Sequence, residues 1–322
     1  MNDSSAPEPA FATDLARRLR SGLDTVILGQ EAIKDGIIAG LLGGGHVLLE
    51  GPPGTAKTLF ALALARLLGG TFRRIQFTPD LMPSDVTGTS ILDPRTTQFT
   101  FMPGPVFTDV LLADEINRTP PRTQAALLEA MQERAVTIDG VRRTLGETFF
   151  VIATQNPIEH EGTYPLPEAQ KDRFLLKLEI GFPERSDEIG IYAAYAGGRQ
   201  LHRIDDLAAV AGPADLAAAQ AAVARVRVED RLLGYLRDVV AATRHDQALQ
   251  LGAGPRAGLA ILATARARAV LQGRDYVTPD DLKAMALPAL VHRVVLAPEA
   301  VMEGTDLGQV LERIFAAVEV PR

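Results

Sequence analysis

Eight consecutive residues constrain this chain more than any others: Gly51, Pro52, Pro53, Gly54, Thr55, Ala56, Lys57 and Thr58. They follow a short apolar run, Val47-Leu48-Leu49, and precede a helical pattern from Leu59 to Leu68. Strand, glycine-rich turn, helix is the context in which backbone N–H groups point inward and cradle phosphate oxygens, with the helix N-terminus adding a favourable dipole. In that reading Lys57 reaches the β- and γ-phosphates and the Thr58 hydroxyl ligates Mg²⁺. Ala56 stands where a second glycine is expected; it lacks glycine's freedom at positive φ but is small, so the loop is not excluded. The bland alternative, a glycine-rich turn beside a chance Lys-Thr, does not explain the strand before it and the helix after it.

A length of 322 residues suggests two domains. Hydrophobic residues make up 47% and charged ones 23%, which is ordinary for a folded globular chain. Cysteine is absent, which excludes disulfides and thiolate metal sites and suits a reducing, cytoplasmic location. The net charge of −7 argues against a large non-specific nucleic-acid surface. The opening residues, MNDSSAPEPA, do not read as a signal peptide, and no apolar run is long enough for a membrane span.

Residues 1–10 are polar and proline-containing and are expected to be disordered. Phe11, Leu15, Leu19 and Leu23 then recur at helical spacing, as do Ile33, Ile37 and Leu41. Between them, Val26-Ile27-Leu28-Gly29-Gln30 is either a cup for a flat adenine ring or ordinary core. Strands are predicted at Phe72–Phe77, at Val110–Ala113 and at Phe149–Ala153, the last two apolar enough for a parallel sheet buried on both faces. Two hairpins are predicted: residues 90–101 around a proline-containing turn, and residues 135–145 around Asp139-Gly140.

The strand ends carry the chemistry. Val110–Ala113 runs into Asp114-Glu115, and acids at the carboxyl end of a parallel strand lie in the crevice where ligands bind. Asp114 is expected to hold Mg²⁺ and Glu115 to activate the attacking water; the bland alternative is a helix cap. Phe149–Ala153 ends in Thr154-Gln155-Asn156, of which Asn156 is taken as the contact to the γ-phosphate or the water, unless Asn156-Pro157 merely begins a turn. Glu161–Pro167 reads as a rigid loop, followed by a helix over 168–174 and a strand over 175–180. Arg173 falls at that helix's C-terminal end, where the dipole alone would favour a cation.

After Gly181-Phe182-Pro183 strands give way to helical periodicity. The expected division is an α/β nucleotide-binding domain over 11–183, a linker over 184–204 and an all-α lid over 205–322, with helices near 205–224, 229–244, 256–272, 279–293 and 305–317. Thr278-Pro279-Asp280-Asp281 is a clean helix start. Gly254-Pro255-Arg256 opens another, and an arginine in a first turn opposes the dipole, so an anion beside Arg256 is expected, a nucleotide phosphate being the candidate; the bland alternative is an exposed arginine with no task.

With these residues in hand the chain resembles an AAA+ ATPase of the MoxR family, over nearly its whole length. Two long stretches are the most specific, LADEINRTPPRTQAALLEAMQE (112–133) and ATQNPIEHEGTYPLPEAQKDRFLLK (153–177). The resemblance implies a P-loop AAA+ core with a parallel sheet flanked by helices, the hairpins as insertions, and a helical lid. It implies that ATP is bound by residues 51–58 with Gln30, that Asn156 is the sensor-1 residue, that Arg256 is the sensor-2 arginine, and that Arg173 is an arginine finger acting on a neighbour's nucleotide. Lys171 departs from the apolar residue expected before Asp172-Arg173-Phe174.

The same resemblance implies a hexamer that remodels or matures a partner, often one with a von Willebrand factor A domain, in connection with metal or cofactor insertion. Phe99, Phe101 and Met102 are either exposed contacts for such a partner or buried against the sheet domain. Two rivals share the architecture: a DNA-acting motor, supported in the sequence only by Arg142-Arg143, and a magnesium-chelatase-like subunit. A nucleotide-binding scaffold without turnover is opposed by the presence of Lys57, Asp114, Glu115 and Arg173.

Overall fold

A computed structural model describes residues 8–157, 162–197 and 204–321. Residues 1–7 of the expected disordered segment, Glu161 of the expected rigid loop, part of the linker and the last residue of the lid lie outside these. Helix α1 (Pro9–Val26) begins two residues before the first periodic apolar position, and Pro9 and Ala10 are helical rather than disordered; a proline at N1 has no N–H to lose and a φ already suited to the helix.

Helix α2 (Glu31–Leu42) leads to β1 (Val47–Glu50), the glycine-rich loop and α3 (Lys57–Leu67). Then come β2 (Phe72–Gln76), the short α4 (Pro83–Thr87), and the hairpin of β3 (Gly88–Asp93) and β4 (Gln98–Pro103). Strand β5 (Val110–Asp114), α5 (Pro121–Glu133), the hairpin β6 (Ala135–Ile138) and β7 (Val141–Thr144), and β8 (Phe150–Gln155) follow. A single turn of helix, α6 (Glu168–Lys171), precedes β9 (Leu176–Glu179). Arg173 therefore sits just beyond a helix shorter than the spacing predicts.

Five strands form one parallel sheet in the order β2-β5-β8-β1-β9. The near-continuous apolar runs of β1, β5 and β8, the three inner strands, are explained by burial on both faces. Val110 and Leu112 point into one core with Val47, Leu49 and Ile152, while Leu111 and Ala113 point into the other with Leu48, Val151 and Ala153. The second core is closed by Leu127, Leu128 and Met131 of α5. Both predicted hairpins form, and Asp139 and Gly140 both take positive φ, as a tight Asp-Gly hairpin turn requires. They lean on each other: the Arg143 guanidinium lies 3.9 Å from the Phe101 ring centroid, and Phe101 meets Phe107 edge-on at 5.4 Å. Phe101 is thus packed, whereas Phe99 is 74% exposed and Met102 is also exposed.

The remainder is α7 (Arg185–Ala196), α8 (Pro213–Val223), α9 (Asp230–Ala242), β10 (Leu249–Leu251), α10 (Pro255–Leu271), α11 (Pro279–Leu290), β11 (Val295–Leu296), α12 (Pro298–Met302) and α13 (Leu307–Ala317). Two expectations need correction. The lid is not wholly helical, since β10 and β11 pair antiparallel. The Ala-rich stretch from about 205 is not one helix: a 3₁₀ turn at Ile204–Asp206 is followed by non-helical residues up to Gly212, which is extended as the residue before a proline prefers, and the α-helix starts at Pro213.

Leu216, Tyr235, Ile261, Leu290 and Ile314 of the C-terminal helices join the same core as Leu15, Leu19, Ile37 and Leu41 of α1 and α2. Gln220 donates to the Leu41 carbonyl at 2.7 Å across that contact. The α11 start is a reciprocal capping box: Thr278 Oγ1 accepts from the Asp281 N–H, and Asp281 accepts from the Thr278 N–H at 2.9 Å. Asp281 is buried, and Arg274 meets its two oxygens at 2.7 and 2.8 Å.

Candidate nucleotide site

The glycine-rich loop leaves β1 where the sheet leaves no room for a side chain. A Cβ on Gly51 would lie 2.0 Å from the Ile180 carbonyl oxygen, so only glycine fits. Gly54 has φ +83° and Ala56 φ +65°, so Ala56 holds the left-handed conformation that a glycine would adopt without strain. Lys57 opens α3 and donates to the carbonyls of Gly51 at 2.5 Å and Pro52 at 3.0 Å. Burial pushes its ammonium below the usual lysine value, while the charges of Asp114 and Glu115 pull it back up.

A cavity of about 500 Å³ is lined by Pro53, Gly54, Thr55, Ala56, Lys57, Thr58, Arg74, Gln76, Asp114, Glu115 and Asn156. The structure therefore brings together loop, acids and Asn156, which come from three neighbouring parallel strands and their carboxyl ends. Thr154, buried on β8, orients both acids. Its hydroxyl donates to Asp114 Oδ1 at 2.5 Å and accepts from the Glu115 N–H at 2.8 Å. Glu115 itself is left-handed at φ +56°, a conformation costing ~1–3 kcal/mol that persists only where surroundings enforce it. Gln76 Nε2 and Arg118 Nη1 donate to Glu115 Oε2 at 2.7 and 3.0 Å. Arg74 Nη2 donates to Asp114 Oδ2 at 2.7 Å.

Other expected site residues lie elsewhere. Gln30 takes φ +58° at the start of α2 and donates to the Gly181 carbonyl at 2.9 Å. Val26 and Ile27 are core, so the apolar part of the expected adenine cup narrows to Leu28. Arg173 lines a separate cavity of about 560 Å³ with Gln132, Arg142 and Gln170. Arg256 has an anion beside it, as its place in a first turn demands, but in this structure that anion is a carboxylate: its Nε lies 3.6 Å from Asp172 Oδ2. Lys171 needs no apolar partner, because it turns outward to Glu168 at 3.0 Å.

Residues 46–176 match the ATPase family associated with various cellular activities (AAA), and residues 241–314 match the AAA lid domain. The chain is similar to the uncharacterized protein YeaC of Bacillus subtilis, at 46% identity over 93% of this chain and 92% of that one. It is 44% identical to Chaperone MoxR1 of Mycobacterium tuberculosis, over 92% of this chain and 80% of the relative. The chain belongs to the MoxR family of AAA+ ATPases. A crystal structure from Cytophaga hutchinsonii superposes on it with a TM-score of 0.89 at 36% identity, covering 98% of this chain and 97% of that one.

Within this MoxR-family site, sequence reasoning missed Arg74, Gln76, Arg118 and Thr154. The signal for three of them was present: Arg74 and Gln76 alternate toward the end of β2, and Thr154 is the last residue but one of β8, at the carboxyl ends of the strands, where parallel sheets present ligands. Arg118 carried no such signal, since its reach to Glu115 depends on the 3₁₀ turn at Ile116–Arg118. Among the described residues, no helix is long and apolar enough to cross a membrane.

Proposed function

We propose that this MoxR-family ATPase hydrolyses ATP with Mg²⁺ at a site completed by a second copy of the chain, and that the cycle drives remodelling or maturation of a partner protein. Residues 51–58 cradle the phosphates, with Gln30 beside the base. The Thr58 hydroxyl and the Asp114 carboxylate are hard oxygen donors on one cavity, the chemistry that suits Mg²⁺. The metal neutralises charge on the phosphates when bound. Glu115 takes the proton of the attacking water, and Asn156 holds that water or the γ-phosphate. Arg173 enters from the neighbouring copy and Arg256 reads the nucleotide from the lid.

One observation carries the reading. Lys57, Thr58, Asp114, Glu115 and Asn156 share one cavity, while Arg173 faces another. A finger that faces away from its own loop serves a neighbour's, and such head-to-tail contacts are heterologous, generating a ring or a helix; a hexamer is the assembly proposed. The name of the relative MoxR1 supports the chaperone role. A partner with a von Willebrand factor A domain, and metal or cofactor insertion as its maturation, complete the proposal.

Arg173→Ala tests the central step. Turnover is expected to fall by ~10³ or more, the usual worth of an arginine finger, with nucleotide binding retained. Parental turnover in that variant, or a wild type that stays monomeric with nucleotide, overturns the reading. Glu115→Gln, which binds without hydrolysing, is the form with which to trap the partner.

A further inference from the structure

Arg293 follows α11 and is buried, and every one of its five N–H groups has an acceptor. Nε donates to Asp172 Oδ1 at 2.7 Å. Nη1 donates to the Leu175 carbonyl at 3.2 Å and to the Ala289 carbonyl. Nη2 donates to the carbonyls of Asp172 at 3.2 Å and Phe174 at 2.6 Å. His292, also buried, meets the same Phe174 carbonyl through Nε2 at 3.0 Å. Two adjacent lid residues thus grip the backbone on both sides of Arg173. A buried guanidinium in a saturated, planar fork is costly to unpair, so the 172–175 segment is tied to the lid on one side, while on the other the Leu175 N–H donates to the His46 carbonyl at 2.7 Å and Phe174 packs into the sheet-side core.

Arg256 contacts the same carboxylate differently. It is half-exposed and lies 3.6 Å from Asp172 Oδ2, so it can exchange this partner for another anion without stranding a buried charge. One carboxylate therefore joins a fixed lid arginine and a releasable one, next to Arg173 in the chain.

We propose that Asp172 and Arg293 are positioning residues for Arg173, tying it to the lid so that the lid of one copy governs hydrolysis in its neighbour's site. The inference rests on the reading of Arg173 as a finger acting in trans. It goes beyond that reading in making the placement of Arg173 depend on the lid as well as on the sheet domain.

The test is the full-length Asp172→Asn variant, which keeps the shape and removes the charge. A misplaced catalytic group of this kind costs ~10²-fold, so kcat is expected to fall ~10- to 100-fold while KM for ATP stays within about twofold. Mixing with Glu115→Gln subunits then decides where the defect lies, since those subunits cannot hydrolyse but carry an intact Arg173 and lid. Turnover per Asp172→Asn subunit should rise on mixing, as it should for Arg173→Ala subunits mixed in the same way. Rescue of Arg173→Ala without rescue of Asp172→Asn overturns this proposal and leaves the finger standing; rescue of neither removes the finger and the proposal together. Parental kcat in Asp172→Asn also overturns it. If Asp172→Asn does not fold, Arg293→Lys, which keeps the charge but has too few donors for the five acceptors, carries the same mixing experiment with the same outcomes.

Discussion

Arg74 Nη2 and Asp114 Oδ2 lie 2.7 Å apart, which puts a cation on the carboxylate proposed to hold Mg²⁺. The metal must compete with that guanidinium. Arg74 is about half-exposed, and ion pairs of this kind are worth ~0.2–1 kcal/mol, so the competition is modest. Arg74→Gln is expected to lower the Mg²⁺ concentration giving half-maximal ATP hydrolysis by up to about fivefold. A magnesium titration at saturating ATP checks this, and an unchanged or higher requirement would show that Arg74 does not compete for Asp114.

Ala56 supplies a second prediction. Its φ of +65° costs an L-residue ~1–2 kcal/mol relative to glycine, whereas glycine's extra chain entropy costs ~0.5–1 kcal/mol. The first effect exceeds the second, so Ala56→Gly should stabilise the nucleotide-free protein by ~0.5–1 kcal/mol. The urea midpoint is the measurement. A lower midpoint would mean that the Ala56 methyl makes contacts worth more than the strain.

These two residues also mark what the sequence could disclose. The loop, the acids and Asn156 were legible because each is fixed by local pattern, a strand followed by polar residues at its carboxyl end. Ala56 was legible as an anomaly, and its positive φ is the strain that anomaly implied. Arg74 was read only as a polar position on a strand, because its pairing depends on β2 lying beside β5, and strand order is not written in periodicity. Arg256 shows the same limit. Its need for an anion followed from its place in a first turn, but Asp172 lies far away in the chain and the lid had to be folded before the two could meet. Residues 208–212, read as helix from their alanines, are not helical; Gly212, directly before Pro213, is extended as that position prefers, and the α-helix starts only at Pro213.

The two hairpins should be coupled through Phe101 and Arg143. The guanidinium sits 3.9 Å from the ring centroid, a geometry worth ~0.5–1 kcal/mol at an exposed site. A double-mutant cycle of Phe101→Leu and Arg143→Gln, read by urea unfolding, should return a coupling of that size. Phe99→Ser, by contrast, should leave stability within ~0.5 kcal/mol, because the ring is exposed. A coupling near zero would mean that the hairpins stand independently.

Acid should destabilise the fold through two histidines well above the carboxylate range. His46 is buried, accepts from the Val151 N–H through Nδ1 at 3.0 Å and meets the Met131 carbonyl through Nε2 at 3.1 Å. Both bonds together require the neutral ring, with its proton on Nε2. Burial pushes its pKa down to about 4, and burial together with the Arg293 charge pushes that of His292 down to about 3. Unfolded, both titrate near 6.5, so between about 6.5 and 4 the unfolded chain binds more protons than the folded one. Stability is therefore complete above pH 6.5 and falls as pH drops through that window, by up to ~1.4 kcal/mol per pH unit for each histidine. Urea unfolding from pH 7 to 4.5 measures the slope. His46→Gln should lower stability at pH 7, because the two bonds are imperfectly replaced, yet reduce the slope by about one histidine's share. An unchanged slope in that variant would mean that the His46 ring takes up its proton in the folded protein as readily as in the unfolded chain.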